Sequence, residues 1–321
     1  MGWLTGWIYR KPVTISRASG AISNYQLKLL LGESSGAVGE DVDCGAKCLS
    51  SFNDIRFTSS NGTSLLSYWI ESITGGTPNQ LATIWIKFDS IGTSATTFYM
   101  YYGKVGASAV SSGTDTFIWF DDFNRADSGT VGNDWVETVD DDFSILSNKL
   151  KIVAGSGDGD LYHDGHTPIV QSIIEAKMQI NSTSKDGRLD WNRANLRLSL
   201  IKFNGPNNKI QYINSTSPYY HDTDVSFSAD TDYILGIRHD PDTELTDYYV
   251  NRIAKAIDQT EYGTILNNAG RVHFYDDVSL TGTVLVDWIL IRQLADTEPA
   301  WGSWGSESGG NYPLPPHFRV T

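Results

Sequence analysis

Apolar and polar residues alternate one by one along much of this 321-residue chain, and this alternation constrains the fold more than any other feature. Near the start, Trp7, Tyr9, Val13 and Ile15 fall on one side of the alternation and polar residues on the other. Successive side chains of a strand point to opposite faces, so a period of two predicts half-buried β-strands. Because Pro12 cannot donate a ladder hydrogen bond, the first strand is expected at a sheet edge.

Further runs of this kind are separated by turn-forming pairs such as Asn61-Gly62, Asp158-Gly159 and Asp186-Gly187. The runs lie at 25–31, 54–58, 65–73, 82–88, 97–102, 143–153, 169–180, 194–203, 209–214, 232–239, 245–253, 271–275 and 283–293. Only the stretch 251–268 is compatible with a short helix. The predicted fold class is therefore all-β, a small N-terminal β-sandwich followed by a two-sheet jelly roll.

A stretch of small and polar residues marks the predicted domain boundary. We place a small β-sandwich domain at 1–105, a linker at 106–116 and the jelly-roll domain at 117–305. From 306 to 321 the chain is rich in Gly and Pro, so it is expected to form an extended tail outside the core. Self-association through this tail is a further expectation.

The charge of the chain narrows its partners. Lys and Arg number 24 and Asp and Glu 38, which gives a formal net charge of −14. A chain this acidic is not expected to bind nucleic acid or an anionic membrane surface unaided. No apolar run is long enough for a membrane span, and no basic segment of a secretory signal precedes the first strand. An exported protein trimmed of its signal, a cytosolic protein and a virion protein all stay open.

Cys44 and Cys48 are the only cysteines. Their spacing predicts a small disulfide loop, on the condition that the protein reaches an oxidising compartment. A zinc site is disfavoured, because zinc usually takes four ligands and no histidine lies nearby in the sequence.

Five segments of the first domain carry a family resemblance: Trp7–Ile15, Asn24–Leu27, Asp54–Thr58, Tyr68–Glu71 and Tyr99–Gly103. Together they resemble a bacterial and archaeal domain family of unknown function found in surface and secreted proteins. The resemblance implies an extracellular or surface-displayed protein, and it brings no established chemistry.

The second domain opens with Phe120–Arg125 and has Val286–Arg292 in its last predicted strand. Both segments resemble the concanavalin A-like lectin and glucanase jelly rolls. The resemblance implies a concanavalin-like two-sheet jelly roll and makes a glycan or another surface polymer the expected partner. It also implies two kinds of site to look for, a pair of catalytic carboxylates and a structural cation.

A catalytic pair is not evident. Retaining glycosidases hold two carboxylates about 5–5.5 Å apart, and the enzymes of this fold carry them in a Glu-x-Asp-x-x-Glu type run. None of the nine Glu residues here has Asp two positions later. Glu175 is followed by Lys177 and Gln179 where its partners would be. An enzyme is therefore disfavoured, although acids from distant strands, with Glu175 among them, stay open as an alternative.

Two groups are candidate metal ligands. The resemblance implies calcium between the first and last strands, with Asp121, Asp122 and Asp287 as ligands completed by carbonyl oxygens. The alternative is that Asp121 and Asp122 are ordinary edge or turn acids, and that Asp287 pairs with Arg292 or Arg125. The second group is His163-Asp-Gly-His166, whose spacing suits a metal but which is more simply a polar turn with two solvated imidazoles.

A glycan-binding surface is expected to combine aromatic rings with polar groups. Trp191 has unusually polar neighbours in the sequence, and Tyr219 and Tyr220 follow a proline. On the strand 194–200 the leucines, Leu200 among them, are expected to face the core and to turn Arg197 outward. The predicted ligand-binding residues are Trp191, Arg197, Gln211, Tyr219, Tyr220 and Arg238, with Gln211 and Arg238 expected on the same face as Arg197.

The expected function is non-catalytic recognition of a glycan or surface polymer, in adhesion or display outside the cell. A structural subunit of a virion, sheath or extracellular filament is the first alternative, and a glycoside hydrolase or lyase with dispersed acids is the second.

Overall fold

A computed structural model describes residues 2–37, 39–138, 142–153, 159–166, 170–192, 198–262, 270–276 and 282–309. The chain forms two compact units, Met1–Phe117 with Ala295–Thr321, and Ile118–Leu294. The first unit is therefore built from two stretches of the sequence, one before and one after the second unit.

The described residues of the first unit form ten strands and a one-turn helix. In chain order they are β1 (Tyr9–Ser16), β2 (Ile22–Gly32), β3 (Val42–Asp43), β4 (Arg56–Thr58), β5 (Leu65–Leu66), β6 (Tyr68–Thr74), β7 (Leu81–Ile91), β8 (Thr96–Tyr102) and α1 (Gly113–Thr116). Two further strands, Ala300–Trp304 and Ser308–Gly309, follow the second unit in the sequence.

The second unit consists of fifteen described strands: β9 (Trp119–Asp121), β10 (Val136–Glu137), β11 (Phe143–Ile145), β12 (Leu150–Val153), β13 (Gly159–His163), β14 (Ser172–Ile180), β15 (Gly187–Asn192), β16 (Leu198–Asn204), β17 (Lys209–Ile213), β18 (Tyr220–Ser226), β19 (Thr231–Asp240), β20 (Leu245–Val250), β21 (Ile253–Thr260), β22 (Arg271–Asp276) and β23 (Thr283–Gln293). Gly205–Asn207 forms a short 3₁₀ turn. The two strands that follow, Ala300–Trp304 and Ser308–Gly309, are β24 and β25.

The first unit is a β-sandwich. One sheet has the strand order β24-β1-β8-β4-β5, with β25 also paired to β1, and the other has the order β3-β2-β7-β6. Fully buried side chains from both sheets, such as Ile15, Leu29, Ile84 and Met100, form its core. The small N-terminal sandwich predicted from the alternation is confirmed.

The first strand is not at a sheet edge, so that expectation is wrong. β1 pairs with β8 on one side and with β24 on the other, and a register shift between Val13 and Ile15 interrupts the β24 ladder. The carbonyl of Pro12 accepts a hydrogen bond from the backbone N–H of Gly305, at 2.8 Å. Proline is tolerated here because the β24 ladder ends next to it, at the Val13–Trp304 pair.

The boundary segments also differ from expectation. Part of the predicted linker is bound to the first unit, since Ser112 donates its backbone N–H to Tyr68 and Ser108 accepts from Arg56. The end of the predicted jelly-roll domain and the start of the predicted tail form β24 and β25 of the first unit. Residues 310–321 of the tail lie outside the described residues.

The second unit is a two-sheet jelly roll, as predicted. The seven-stranded sheet has the order β10-β13-β22-β15-β16-β17-β18, and the eight-stranded sheet has the order β11-β12-β23-β14-β19-β20-β21, with β9 paired to β23. The core contains buried side chains from both sheets, including Leu189, Trp191 and Phe274 from the first and Ile174 and Ile237 from the second.

Two local predictions within this unit are wrong. The stretch that was compatible with a helix contains strand β21, which follows a tight turn in which Asn251 and Arg252 both have positive φ. On β16 the alternation is shifted by one residue from the expected phase. Ile201 and Phe203 belong to the core, whereas Leu200 lies on the other face, because both phases of this strand contain apolar residues.

Among the described residues, no helix has the length and apolar character needed to cross a membrane.

We expect the first unit to depend on β24 and β25. A chain that ends at Leu294 loses the ladder to β1 and the packing of Trp301 and Trp304 against the core. The expected loss is about 2 kcal/mol or more in the stability of the first unit, because both backbone pairing and apolar burial disappear. Calorimetric unfolding measures it, with a chain ending at Gly309 as the matched control. Identical transitions in the two chains would contradict this role.

Candidate functional site

The outward side of the seven-stranded sheet carries a group of polar and charged side chains on neighbouring strands. Leu189 and Trp191 on β15 and Phe274 on β22 point into the core, so the residues between them point outward. We define the polar face by the outward residues Asp160, Tyr162, Arg188, Asp190, Lys202, Asn204, Gln211, Tyr220, Asp222, Arg271, His273 and Tyr275.

Three adjacent strands of this face place a histidine between two carboxylates. His273 on β22 pairs in register with Asp190 on β15. Its Nδ1 lies 2.8 Å from Oδ2 of Asp190, and its Nε2 lies 2.6 Å from Oδ1 of Asp160 on β13. Both ring nitrogens are therefore engaged by carboxylate oxygens.

The central carboxylate is also bound by an arginine. The Nε of Arg188, two residues earlier on β15, donates to Oδ1 of Asp190 at 2.6 Å. Asp190 has no solvent exposure although it lies on the outward side of the sheet, whereas the side chain of Asp160 is 43% exposed. The row therefore runs from a buried ion pair to a carboxylate that is open to solvent.

The charges in this row stabilise one another. Burial lowers the pKa of His273, but the hydrogen bonds to Asp160 and Asp190 outweigh burial and raise the pKa above its ordinary value. Burial raises the pKa of Asp190, but the Arg188 charge and the His273 hydrogen bond outweigh it and lower the pKa. The hydrogen bond from His273 lowers the pKa of Asp160. These directions favour an imidazolium between two carboxylates.

The next strands extend the row with further paired groups. The Nζ of Lys202 on β16 donates to Oδ2 of Asp186 at 2.6 Å and lies 4.8 Å from the ring centre of Tyr220. Gln211 on β17 donates to Asp222 at 2.7 Å. This part of the face presents amide, ammonium and carboxylate groups close together.

One end of the face is aromatic and apolar. Leu200 and Ile213 are buried next to Tyr262. The rings of Tyr219 and Tyr262 are in edge contact with 4.6 Å between their centres. Tyr219 is 46% exposed and Tyr220 is 44% exposed, so their rings are accessible beside the charged row.

The structure brings together only some of the predicted ligand-binding residues. Gln211 and Tyr220 lie on the polar face, and Tyr219 lies at its aromatic end. Trp191 is not a surface ring, since it is 3% exposed, packs in the core and donates its indole N–H to the carbonyl of His166. Arg197 lies outside the described residues.

Arg238 does not share a sheet with Gln211, so that expectation is wrong. It lies on β19 in the eight-stranded sheet and donates to Asp247 at 2.7 Å. Glu175 in the same sheet is fully buried between Arg292 and Arg252, at 2.9 and 2.8 Å. Burial raises the pKa of Glu175, but the two arginine charges outweigh it and lower the pKa. An ionised, enclosed carboxylate of this kind is not suited to donate a proton.

The residues predicted to bind calcium have protein partners. Asp121 accepts two hydrogen bonds from the guanidinium of Arg125 and one from the indole of Trp135. Asp122 accepts a hydrogen bond from the backbone N–H of Asn124 at 3.0 Å. Within the part of the chain that the structure describes, no group of three or more His, Cys, Asp or Glu side chains is placed to hold a metal ion.

Asp287 does not pair with either arginine named in the sequence analysis. Its two oxygens lie 2.8 Å from Nζ of Lys177 and 3.2 Å from Nζ of Lys149. Burial raises the pKa of Asp287, but its hydrogen bond and charge interaction with Lys177 outweigh burial and lower the pKa. Asp287 therefore pairs with Lys177 and Lys149, and the expected pairing with Arg292 or Arg125 is wrong.

Cys44 and Cys48 are free thiols in this structure. Cys44 is buried, and both burial and a hydrogen bond to Cys48 raise the pKa of its thiol. The disulfide in an oxidising compartment stays a prediction.

The sequence pattern did not reveal Asp160, Arg188, Asp190 or His273 as site residues. Strands β13 and β15 begin at glycines of Asp-Gly pairs, which predicted turns. The available signal was the i, i+2 spacing of Arg188 and Asp190, which puts two opposite charges on one face of a strand.

A family model described as "Domain of unknown function (DUF2341)" matches residues 51–139, well under half of the chain. The match contains three of the five segments that carry the resemblance of the first domain, and the segments Trp7–Ile15 and Asn24–Leu27 lie outside it. No curated protein matches the chain significantly.

Solved structures that match have low similarity to this chain. A sialidase matches 62% of this chain and 20% of its own length, with 8% identity and a TM-score of 0.44. A carbohydrate-binding module from Bacillus subtilis matches 50% of this chain and 96% of its own length (8% identity, TM-score 0.38). An endo-β-1,3-glucanase from Pyrococcus furiosus matches 56% of this chain and 95% of its own length (11% identity, TM-score 0.41). Similarity this low does not transfer an activity to this chain.

We expect the second unit to become less stable as the pH rises, because His273 loses its charge. A group whose pKa is raised in the folded state stabilises fully below its unfolded pKa, here near 6.5, and loses the effect as pH rises through the folded pKa. His273→Gln should therefore cost about 1–3 kcal/mol at pH 5.5 and less at pH 9. Urea unfolding at the two pH values measures this difference. An equal cost at both would contradict a charged His273.

Proposed function

We propose that the chain is a non-catalytic recognition module that binds a neutral glycan or a similar hydroxyl-rich surface polymer on the polar face. The observation that carries the proposal is the row of ion pairs and hydrogen-bonded polar groups from Asp160 to Asp222, bordered by the exposed rings of Tyr219 and Tyr220. Sugar rings offer hydroxyls to polar groups and apolar C–H faces to aromatic rings, and this surface offers both partners.

The pairing of the charges supports a neutral ligand. Lys202 is bound to Asp186, and Arg188 is bound to Asp190, so neither cation is left to attract an anion. The side chains of an ion pair can still bind a ligand through N–H groups and carboxylate oxygens that the pair does not use. A polyhydroxylated ligand can use both kinds of group without bringing a charge of its own.

The state of His273 supports binding without catalysis. A general base needs an unprotonated nitrogen that can reach the substrate, but both nitrogens of His273 contact carboxylates and its pKa is raised. The two carboxylates at this histidine are also tied to it. Glu175, the acid named for the hydrolase alternative, is buried in the other sheet.

The direct test begins with a glycan array, which identifies the neutral polysaccharides that bind the unaltered protein. The variant Tyr220→Ala is then tested for binding to the same polysaccharides. Loss of one exposed ring is expected to weaken binding about tenfold. Tyr249→Ala is the matched control, because Tyr249 lies on the eight-stranded sheet, away from the polar face. Isothermal titration gives the dissociation constants of all three proteins.

Other outcomes decide between the alternatives. Equal loss in Tyr220→Ala and Tyr249→Ala, or no binding to any polysaccharide, would overturn the proposed face. Release of reducing ends from the polysaccharides would favour the hydrolase or lyase alternative. Assembly into filaments under electron microscopy, without glycan binding, would favour the structural-subunit alternative. We also propose that the protein acts outside the cell or on a virion, where it has access to such polymers.

A structural calcium ion at Asp121, Asp122 and Asp287 stays part of the proposal. The ion would have to replace the contacts of Asp121 with Arg125 and of Asp287 with Lys177. A bound ion raises the melting temperature by mass action, so millimolar calcium should raise it relative to a chelator. The same melting temperature in both solutions would exclude a stabilising calcium site.

A further inference from the structure

Two histidines outside the polar face contact each other at the end of β13. Nε2 of His166 lies 2.7 Å from Nδ1 of His163, which is within hydrogen-bonding distance. The carbonyl oxygen of Asp164 lies 3.0 Å from the same Nδ1. The two imidazoles are therefore not separately solvated, as the simpler interpretation of the motif expected.

Two tryptophans hold these rings in place. The ring centre of Trp119 lies 4.4 Å from that of His166 and 5.0 Å from that of His163. The ring of Trp135 lies 5.6 Å from that of His163, in edge contact. Packing on several sides fixes the orientation of the imidazoles, which reduces the entropy lost when a ligand binds both.

We propose that His163 and His166 chelate a divalent transition-metal ion such as Cu²⁺, Ni²⁺ or Zn²⁺, with the Asp164 carbonyl beside it and water in the remaining positions. Imidazole nitrogen is a preferred ligand for these ions. The site holds two side chains and a backbone oxygen, so it is consistent with the finding that no three His, Cys, Asp or Glu side chains converge among the described residues.

The distance between the two ring nitrogens is close to that in a chelate. Two nitrogens at about 2.0–2.1 Å from one ion are roughly 2.9 Å apart at a right angle and about 3.3 Å apart in a tetrahedron. The two ring nitrogens are already 2.7 Å apart. Binding an ion would require a separation of a few tenths of an ångström and a rotation of the rings that directs both nitrogen lone pairs at the ion.

The neighbouring tryptophans make the test direct. Cu²⁺ added to untagged protein should quench indole fluorescence saturably, because Trp119 and Trp135 contact the two histidines. Isothermal titration should give a stoichiometry of one. His166→Gln and His163→Gln should each weaken binding at least tenfold, since one ligand of the chelate is lost.

The matched control is His221→Gln, which removes a histidine on β18 that stacks on Tyr212, away from the two tryptophans. It should bind Cu²⁺ as the unaltered protein does. Circular dichroism checks that each variant is folded, and a variant that is not folded is replaced by the alanine substitution at the same position. Quenching that does not saturate, or that persists in folded variants of both His163 and His166, would overturn the proposal. Unchanged binding in these variants with loss in His221→Gln would also overturn it.

Discussion

Burial of the Asp190 carboxylate is the constraint on which the polar face depends. An ionised carboxylate removed from water is stable only if charged or hydrogen-bonding groups replace the solvent. Arg188 binds Asp190 from its own strand, and His273 binds it from the neighbouring strand. The same pairing favours the charged form of His273, whose other nitrogen contacts Asp160. Removing any one of these groups would take a partner from at least one other charge, so the row is expected to act as a unit.

The alternation of apolar and polar residues was sufficient to predict the fold class, because a strand with one buried face has an apolar residue at every second position. The strands β14, β19 and β23 are long and alternate clearly, and their bounds lie within a few residues of the predicted runs. β15 escaped prediction because Gly187 follows Asp186 and suggested a turn. The structure gives this glycine another role, since a Cβ there would lie 2.8 Å from Val284. Close packing and tight turning both call for glycine, and one sequence does not distinguish them.

The site was harder to predict than the fold because it is assembled by strand pairing. His273 meets Asp190 and Asp160, which are 83 and 113 positions away in the sequence. Only the register of β13, β22 and β15 brings them together. The error at Leu200 has a related cause, since β16 is apolar in both phases and only its partners decide which side faces the core. Gln211 and Tyr220 were predicted individually, and the pairing of their strands puts them on one face.

The order of strands in the first unit has a consequence for biosynthesis. β24 pairs with β1, yet it is made only after the whole of the second unit. At about 5–20 residues per second, roughly 10–40 s of translation separate the end of β8 from the arrival of β24. During that interval β1 has an unpaired edge, which can associate with edges of other nascent chains. Among the described residues, the intervening jelly roll contributes no strand to that edge, so the sandwich would close only after the jelly roll has been made.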